Sequence, residues 1–219
     1  KNETKIQQIP EAFKGWLTQR RGQKTIDRVQ AVLQWDIRRI TITYLASNEE
    51  FTRSHGLKGS ETSQIVAVAL PSDGSILLGP KVVETNFDSV LAHELTHVVV
   101  LQKYKSSVPK WIEEGLANYV GRKGRVDYAW LATEAQIDPR ELNHPFVANR
   151  IVVQTGSKAR FHYELASATV EFLASRCDIS DVLQLSMGSS LENYLKTTCE
   201  ITDLKTQLGA WIKKKASRK

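Results

Sequence analysis

The sequence predicts an α+β protein: a small, mostly antiparallel sheet with helices packed against it, and further helices at both ends of the chain. Three observations predict this. Residues 39–45 (RITITYL) and 64–70 (QIVAVAL) are rich in β-branched residues and of strand length. Pro71-Ser-Asp-Gly74 then marks a tight turn, so Ser75–Leu78 (SILL) is the returning strand of a hairpin. Most of the remaining chain carries apolar residues at helical spacing. At 219 residues, 41% hydrophobic and 25% charged, the chain suits one compact unit whose core needs no disulfide support.

Within 10–35, Phe13, Trp16 and Leu17 form one apolar group and Ile26, Val29, Val32 and Leu33 a second. Gly22 lies between them, which predicts two helices. Ser47 or Asn48 can cap a short helix over 48–55. Asn86 or Asp88 can start a long helix running through Gln102. Pro109 precedes another over 111–120, with Gly121 as its stop. The C-terminal third reads as helical at 163–176, 179–187, 191–196 and 202–213. The expected division is an N-terminal helical segment (1–38), a core (39–124) and a C-terminal helical subdomain (125–219).

The decisive chemistry lies at His93-Glu94-Leu95-Thr96-His97. On a helix, residues i and i+4 project from one face a turn apart. Two imidazoles so placed can both reach one Zn²⁺ at roughly 2.0–2.1 Å. Glu94 is set off around the helix, where it can approach a metal-activated water without becoming a ligand. With only five histidines in the chain, this spacing rarely arises by chance. A buried histidine pair inside the apolar stretch 90–101 would also be costly without partners. A catalytic zinc site needs a third protein ligand and an open position. Trp111-Ile-Glu113-Glu114-Gly115-Leu-Ala117-Asn118-Tyr119 follows shortly downstream.

HExxH followed by W-x-x-E-G-L-A-x-Y resembles the gluzincin branch of zinc metallopeptidases, and most closely its compact members, the peptidase MA-like or minigluzincin domains. The likeness covers about residues 39–120. It implies a sheet lying over two zinc-binding helices and one Zn²⁺ per chain, held by His93, His97 and Glu114. Glu113, about 100° away around the helix, is the rival and otherwise reads as a solvated carboxylate favoured at a helix start. By the resemblance Glu94 is the general base, and Asn118, one turn after Glu114, orients a metal-bound histidine where thermolysin-like enzymes carry aspartate. A later helix supplies an oxyanion partner, for which Tyr163 and His162 are the candidates; the apolar stripe Tyr163, Leu165, Ala166 and Val170 favours Tyr163. The substrate is a peptide or protein held extended along an edge strand, which is expected at 75–78. His55 and His144 have no partner spacing and carry no role.

The expected function is hydrolysis of peptide bonds by glutamate-assisted attack of a water activated at zinc. Two alternatives stand beside it. One is a zinc hydrolase of another amide, such as a cell-wall crosslink or an acylated amine. The other is a latent or non-catalytic binding module on the same fold. The net charge is +6. Either a basic surface meets an anionic partner, or the excess sits in the tail, where Lys213–Lys215, Arg218 and Lys219 place five charges in seven residues. No zinc-knuckle, helix-turn-helix or basic–aromatic pattern marks a nucleic-acid binder. No apolar run is long enough to span a bilayer. Cys177 and Cys199 lie outside any Cys-x-x-Cys pair. They are either a disulfide, as in an exported protein, or two buried thiols.

Overall fold

The computed structural model describes residues 5–7, 15–57, 65–70, 72–105, 108–121, 126–134, 137–139, 146–147, 150–151, 157–182, 185 and 188–217. His144 and Phe13 lie outside them. The chain divides into two compact units, Lys1–Lys103 with Val120–Lys123, and Tyr104–Tyr119 with Gly124–Lys219. The boundary at residue 104 falls inside the segment expected as the core, 39–124.

The first unit holds a four-stranded mixed sheet in the order β1-β2-β4-β3, from β1 (Lys5–Gln7), β2 (Thr41–Tyr44), β3 (Ala67–Leu70) and β4 (Ser75–Leu78). The expectation of a mostly antiparallel sheet is corrected. β1 pairs with β2 and β2 with β4 in parallel, and only the β3–β4 hairpin is antiparallel. The reason is the connections. α1 (Gln19–Leu33) carries the chain between β1 and β2, while β2 skips β3 to pair with the far arm of the hairpin. Among the described residues Ser75–Leu78 is therefore an inner strand, and β3 is the edge beside it. Gly74, at φ +61°, supplies the left-handed residue that turns the hairpin. Ile42, Tyr44, Ile76 and Leu78 share one face and are fully buried.

One helix, not two, occupies the described part of 10–35. Thr18 caps α1 by accepting from the Arg21 N–H at 3.2 Å. Gly22 is buried inside the helix, on a stripe with Thr25, Ile26, Val29 and Leu33. At the other end Gln34 adopts the left-handed conformation and Lys103 Nζ donates to the Leu33 carbonyl at 2.6 Å. β1 is a strand in a segment expected to be helical. Three residues show no readable alternation, and their pairing with a strand 36 positions away is decided by tertiary contact.

α2 (Asn48–His55) begins at Ser47, whose hydroxyl accepts from the Glu50 N–H. Its last residue, His55, is 6% exposed and packs edge-on against Phe51. Its Nδ1 accepts from the Leu57 N–H at 3.0 Å, and Nε2 has no hydrogen-bond partner among the described residues. Burial holds this imidazole below its ordinary pKa. The unfolded chain therefore takes the proton first as pH falls below about 6.5, so stability is full above that pH and declines below it. Urea unfolding at pH 7.5 and 5.0 should show the parent losing more stability than His55→Asn, which keeps an acceptor near Nδ1 but does not titrate. Equal losses would mean His55 charges without cost.

α3 (Phe87–Val99) is buried along most of its length, as a central helix is, and continues into a π-helical turn over Val100–Tyr104. Its first turn is tied to α1. Arg21 makes a bidentate ion pair with Asp88, Thr25 Oγ1 donates to the same carboxylate, and Arg28 donates to the carbonyls of Asp88 and Val120. Burial pushes the Asp88 carboxyl up, but the Arg21 pairing outweighs it and leaves the group below its ordinary pKa. Gly121 lies against α3. A Cβ there would stand 2.8 Å from the Ser89 carbonyl oxygen and 3.3 Å from His93 Cβ.

The second unit contains α4 (Lys110–Gly121, less its last two residues), α5 (Tyr128–Leu131), α6 (Ser157–Ala174), α7 (Leu191–Thr197) and α8 (Leu204–Ala216). A two-stranded antiparallel pair, β5 (Phe146–Val147) and β6 (Arg150–Ile151), lies in the subdomain expected to be helical, ahead of the first helix expected there at 163. Residues Ile179–Val182, at the start of the helix expected over 179–187, form a 3₁₀ turn; 183, 184, 186 and 187 lie outside the described residues. Cys177 and Cys199 are joined in a disulfide with Cα atoms 4.8 Å apart, which settles the cysteine alternatives.

Candidate metal centre

The site starts on α3. Its 3.6-residue repeat places His93 and His97 on one face, with the rings edge-on and their centroids 5.0 Å apart. His93 is 8% exposed and Glu94 7%, while His97 is half-buried. The two Nε2 atoms stand 3.3 Å apart. That spacing suits a shared ion: two nitrogens each roughly 2.0–2.1 Å from a tetrahedral zinc are about 3.3–3.4 Å from one another. A hydrogen bond between the rings would need one Nε2 to carry a proton and the other to be bare.

α4 supplies the carboxylate. Pro109 lies just before it and accepts from the Ile112 and Glu113 N–H groups with its carbonyl, so the first turn forms without the proline's missing donor. Glu114 is 6% exposed. His93, His97 and Glu114 each offer a ligand atom, and these atoms all lie within 4.8 Å of one another. Two nitrogens and one carboxylate oxygen, buried and convergent, are a donor set suited to a divalent transition metal.

Glu113 is not the solvated carboxylate expected. It is 7% exposed and paired with Lys110 at 2.5 Å, where the ammonium neutralises it away from the ligand group. Asn118 Nδ2 donates to Ser167 Oγ at 2.9 Å, and Ser167 donates on to the Tyr163 carbonyl at 2.8 Å. This contact ties α4 to α6 through the amide nitrogen; the role expected for Asn118 belongs to its side-chain oxygen. Gly115 serves the same contact. A Cβ at 115 would stand 2.4 Å from the Ala166 carbonyl oxygen and 2.5 Å from Val170 Cγ2, so the two helices touch through their backbones there.

On α6 the buried stripe runs His162, Leu165, Ala166, Thr169 and Leu173. His162, read as lying off the stripe, is 1% exposed and leads it; Tyr163 is half-buried, with its ring edge-on to His162 at 5.7 Å. Six of the nine positions from 165 to 173 are apolar, and they spread beyond one face, so the sequence could not fix the helix's phase. His162 falls outside the ligand group.

One contact escaped the sequence entirely. The Ala69 N–H donates to Glu94 Oε2 at 2.8 Å. Only the hairpin's register and strand order could have revealed it. No family model matches the chain, no curated protein matches it, and no solved structure matches it.

Proposed function

We propose that this chain is a zinc-dependent peptidase, with His93, His97 and Glu114 holding one Zn²⁺ and Glu94 as general base. The observation that carries the proposal is the buried, convergent His93–His97–Glu114 set with the Glu94 carboxylate on the same helix. Zinc held there supplies a Lewis acid for a carbonyl oxygen and lowers the pKa of a coordinated water. Glu94 takes the proton from the attacking water and later delivers it to the leaving amine. An extended peptide lies along β3, the edge strand whose Ala69 touches Glu94. Tyr163 or His162 donates to the developing oxyanion. The disulfide, which suits an oxidising compartment, supports a role for the protein outside the cytosol.

The test is a peptide-library digest. The parent should cleave peptides, stop when the metal is chelated and recover with added zinc. Run beside it, Tyr163→Phe or His162→Ala should lower kcat by roughly 10²–10³ with little change in KM, identifying the oxyanion donor. A metal-loaded parent that cleaves no peptide would refute the peptidase reading and leave the other-amide hydrolase or the binding module.

A further inference from the structure

We infer that the Ala69 backbone amide is a positioning group: it holds Glu94 in the orientation from which the carboxylate works, and so couples the edge strand to the base. The inference rests on the proposed role of Glu94.

The hairpin's hydrogen-bond phase explains why this amide is available. In an antiparallel pair, hydrogen-bonded and non-hydrogen-bonded residue pairs alternate. Gly79 N–H donates to the Val66 carbonyl at 2.9 Å, so the 66–79 pair is bonded. The register Ala67↔Leu78, Val68↔Leu77 and Ala69↔Ile76 then makes 68–77 bonded and 69–76 not. The Ala69 N–H therefore points away from β4, out of the edge of the sheet. Donors on an edge strand are exposed to mispairing unless something caps them. Here the cap is Glu94 Oε2, and the bond is charge-assisted, stronger than a neutral amide contact.

The geometry constrains the side chain at its far end. Glu94 has three rotatable bonds, and its backbone is fixed in α3. One bond from a rigid strand restrains the carboxylate at the end of that side chain. The donor sits on the strand that would carry an extended peptide, so base and substrate take their positions from the same short stretch of chain. The small side chain at 69 is on the face shared with the buried Ile76, where it lets α3 approach β3 to within hydrogen-bond reach. A second consequence is that Ala69 cannot donate to a substrate while it holds the base.

The experiment replaces the Ala69 peptide bond with an ester, which substitutes oxygen for N–H and keeps the methyl side chain. The control is the same replacement at Gly79, which removes a β3–β4 ladder bond and leaves the Ala69–Glu94 bond intact. The Ala69 ester should lower kcat at least 10-fold, with KM within about two-fold and zinc content unchanged; the Gly79 ester should lower the unfolding midpoint but not kcat. Unchanged kcat in the Ala69 ester, or an equal loss in both esters, would overturn the inference, the second outcome meaning general loosening of the strand. Amide hydrogen exchange separates this from failure of the peptidase reading. In metal-free parent protein the Ala69 N–H should exchange at least 10-fold more slowly than the outward-facing Ala67 N–H, and Glu94→Ala should abolish the difference. An inactive parent that passes the exchange test keeps the Ala69–Glu94 tether and loses the peptidase reading. Equal exchange at 67 and 69 in the parent would remove the tether itself.

Discussion

Glu94→Gln should retain zinc and lose activity by on the order of 10³ in kcat, within the 10²–10⁴ that a positioned general base contributes. The substitution is nearly isosteric, and the amide oxygen can still accept the Ala69 N–H, so the fold and the hydrogen bond at 2.8 Å have no reason to change. What is removed is a group able to take a proton from water and return it to the leaving amine. KM should move little, because Glu94 in this reading acts in the transition state and not in binding the peptide. A Glu94→Gln protein that hydrolyses peptides within a few-fold of the parent would assign the proton transfer to another group.

Gly115→Ala should destabilise the chain by roughly 2 kcal/mol. This is the overpacking cost of about 1–3 kcal/mol or more, partly offset by alanine's helix propensity of about 1 kcal/mol. The added methyl would stand 2.4 Å from the Ala166 carbonyl oxygen and 2.5 Å from Val170 Cγ2. The first is a backbone atom in the middle of an 18-residue helix and cannot step aside. α4 must shift instead, and Glu114 is the residue next to the change. Zinc affinity should therefore fall by about 10–100-fold, the range seen when groups supporting a metal ligand are disturbed. Calorimetry and a competitive zinc titration read the two effects. A Gly115→Ala protein as stable as the parent, with unchanged zinc affinity, would mean the α4–α6 contact is looser than the structure has it.

The residues of the candidate centre were legible because their spacing along the chain is also their spacing in space. His93, Glu94 and His97 sit on one helix, and a four-residue interval is a distance. The same holds for Ser47 capping α2 and for the Gly74 turn. Features that depend on non-local pairing were not legible. Nothing in Ser75–Leu78 reveals that β2 will pair with it on one side, which makes it an inner strand and passes the edge to β3. β1 is invisible for the same reason. Gly22 reads as a break but is a buried packing position within α1. Glu113 reads as a surface charge, and its burial to 7% exposure comes from packing that its position on the helix does not reveal. Along α6, apolar residues spread beyond one face hid the stripe that begins at His162. The bond from Asn118 Nδ2 to Ser167, 49 positions away, was likewise not legible.

The most direct measurement is metal content by mass spectrometry, made on the parent and on the His93→Ala/His97→Ala/Glu114→Ala protein after zinc loading and exhaustive dialysis. The parent should hold about one zinc per chain, as a three-ligand site of this kind requires, and the triple variant none. A parent that retains no zinc, or a triple variant that keeps full occupancy, would contradict the assignment of these three residues as the metal centre.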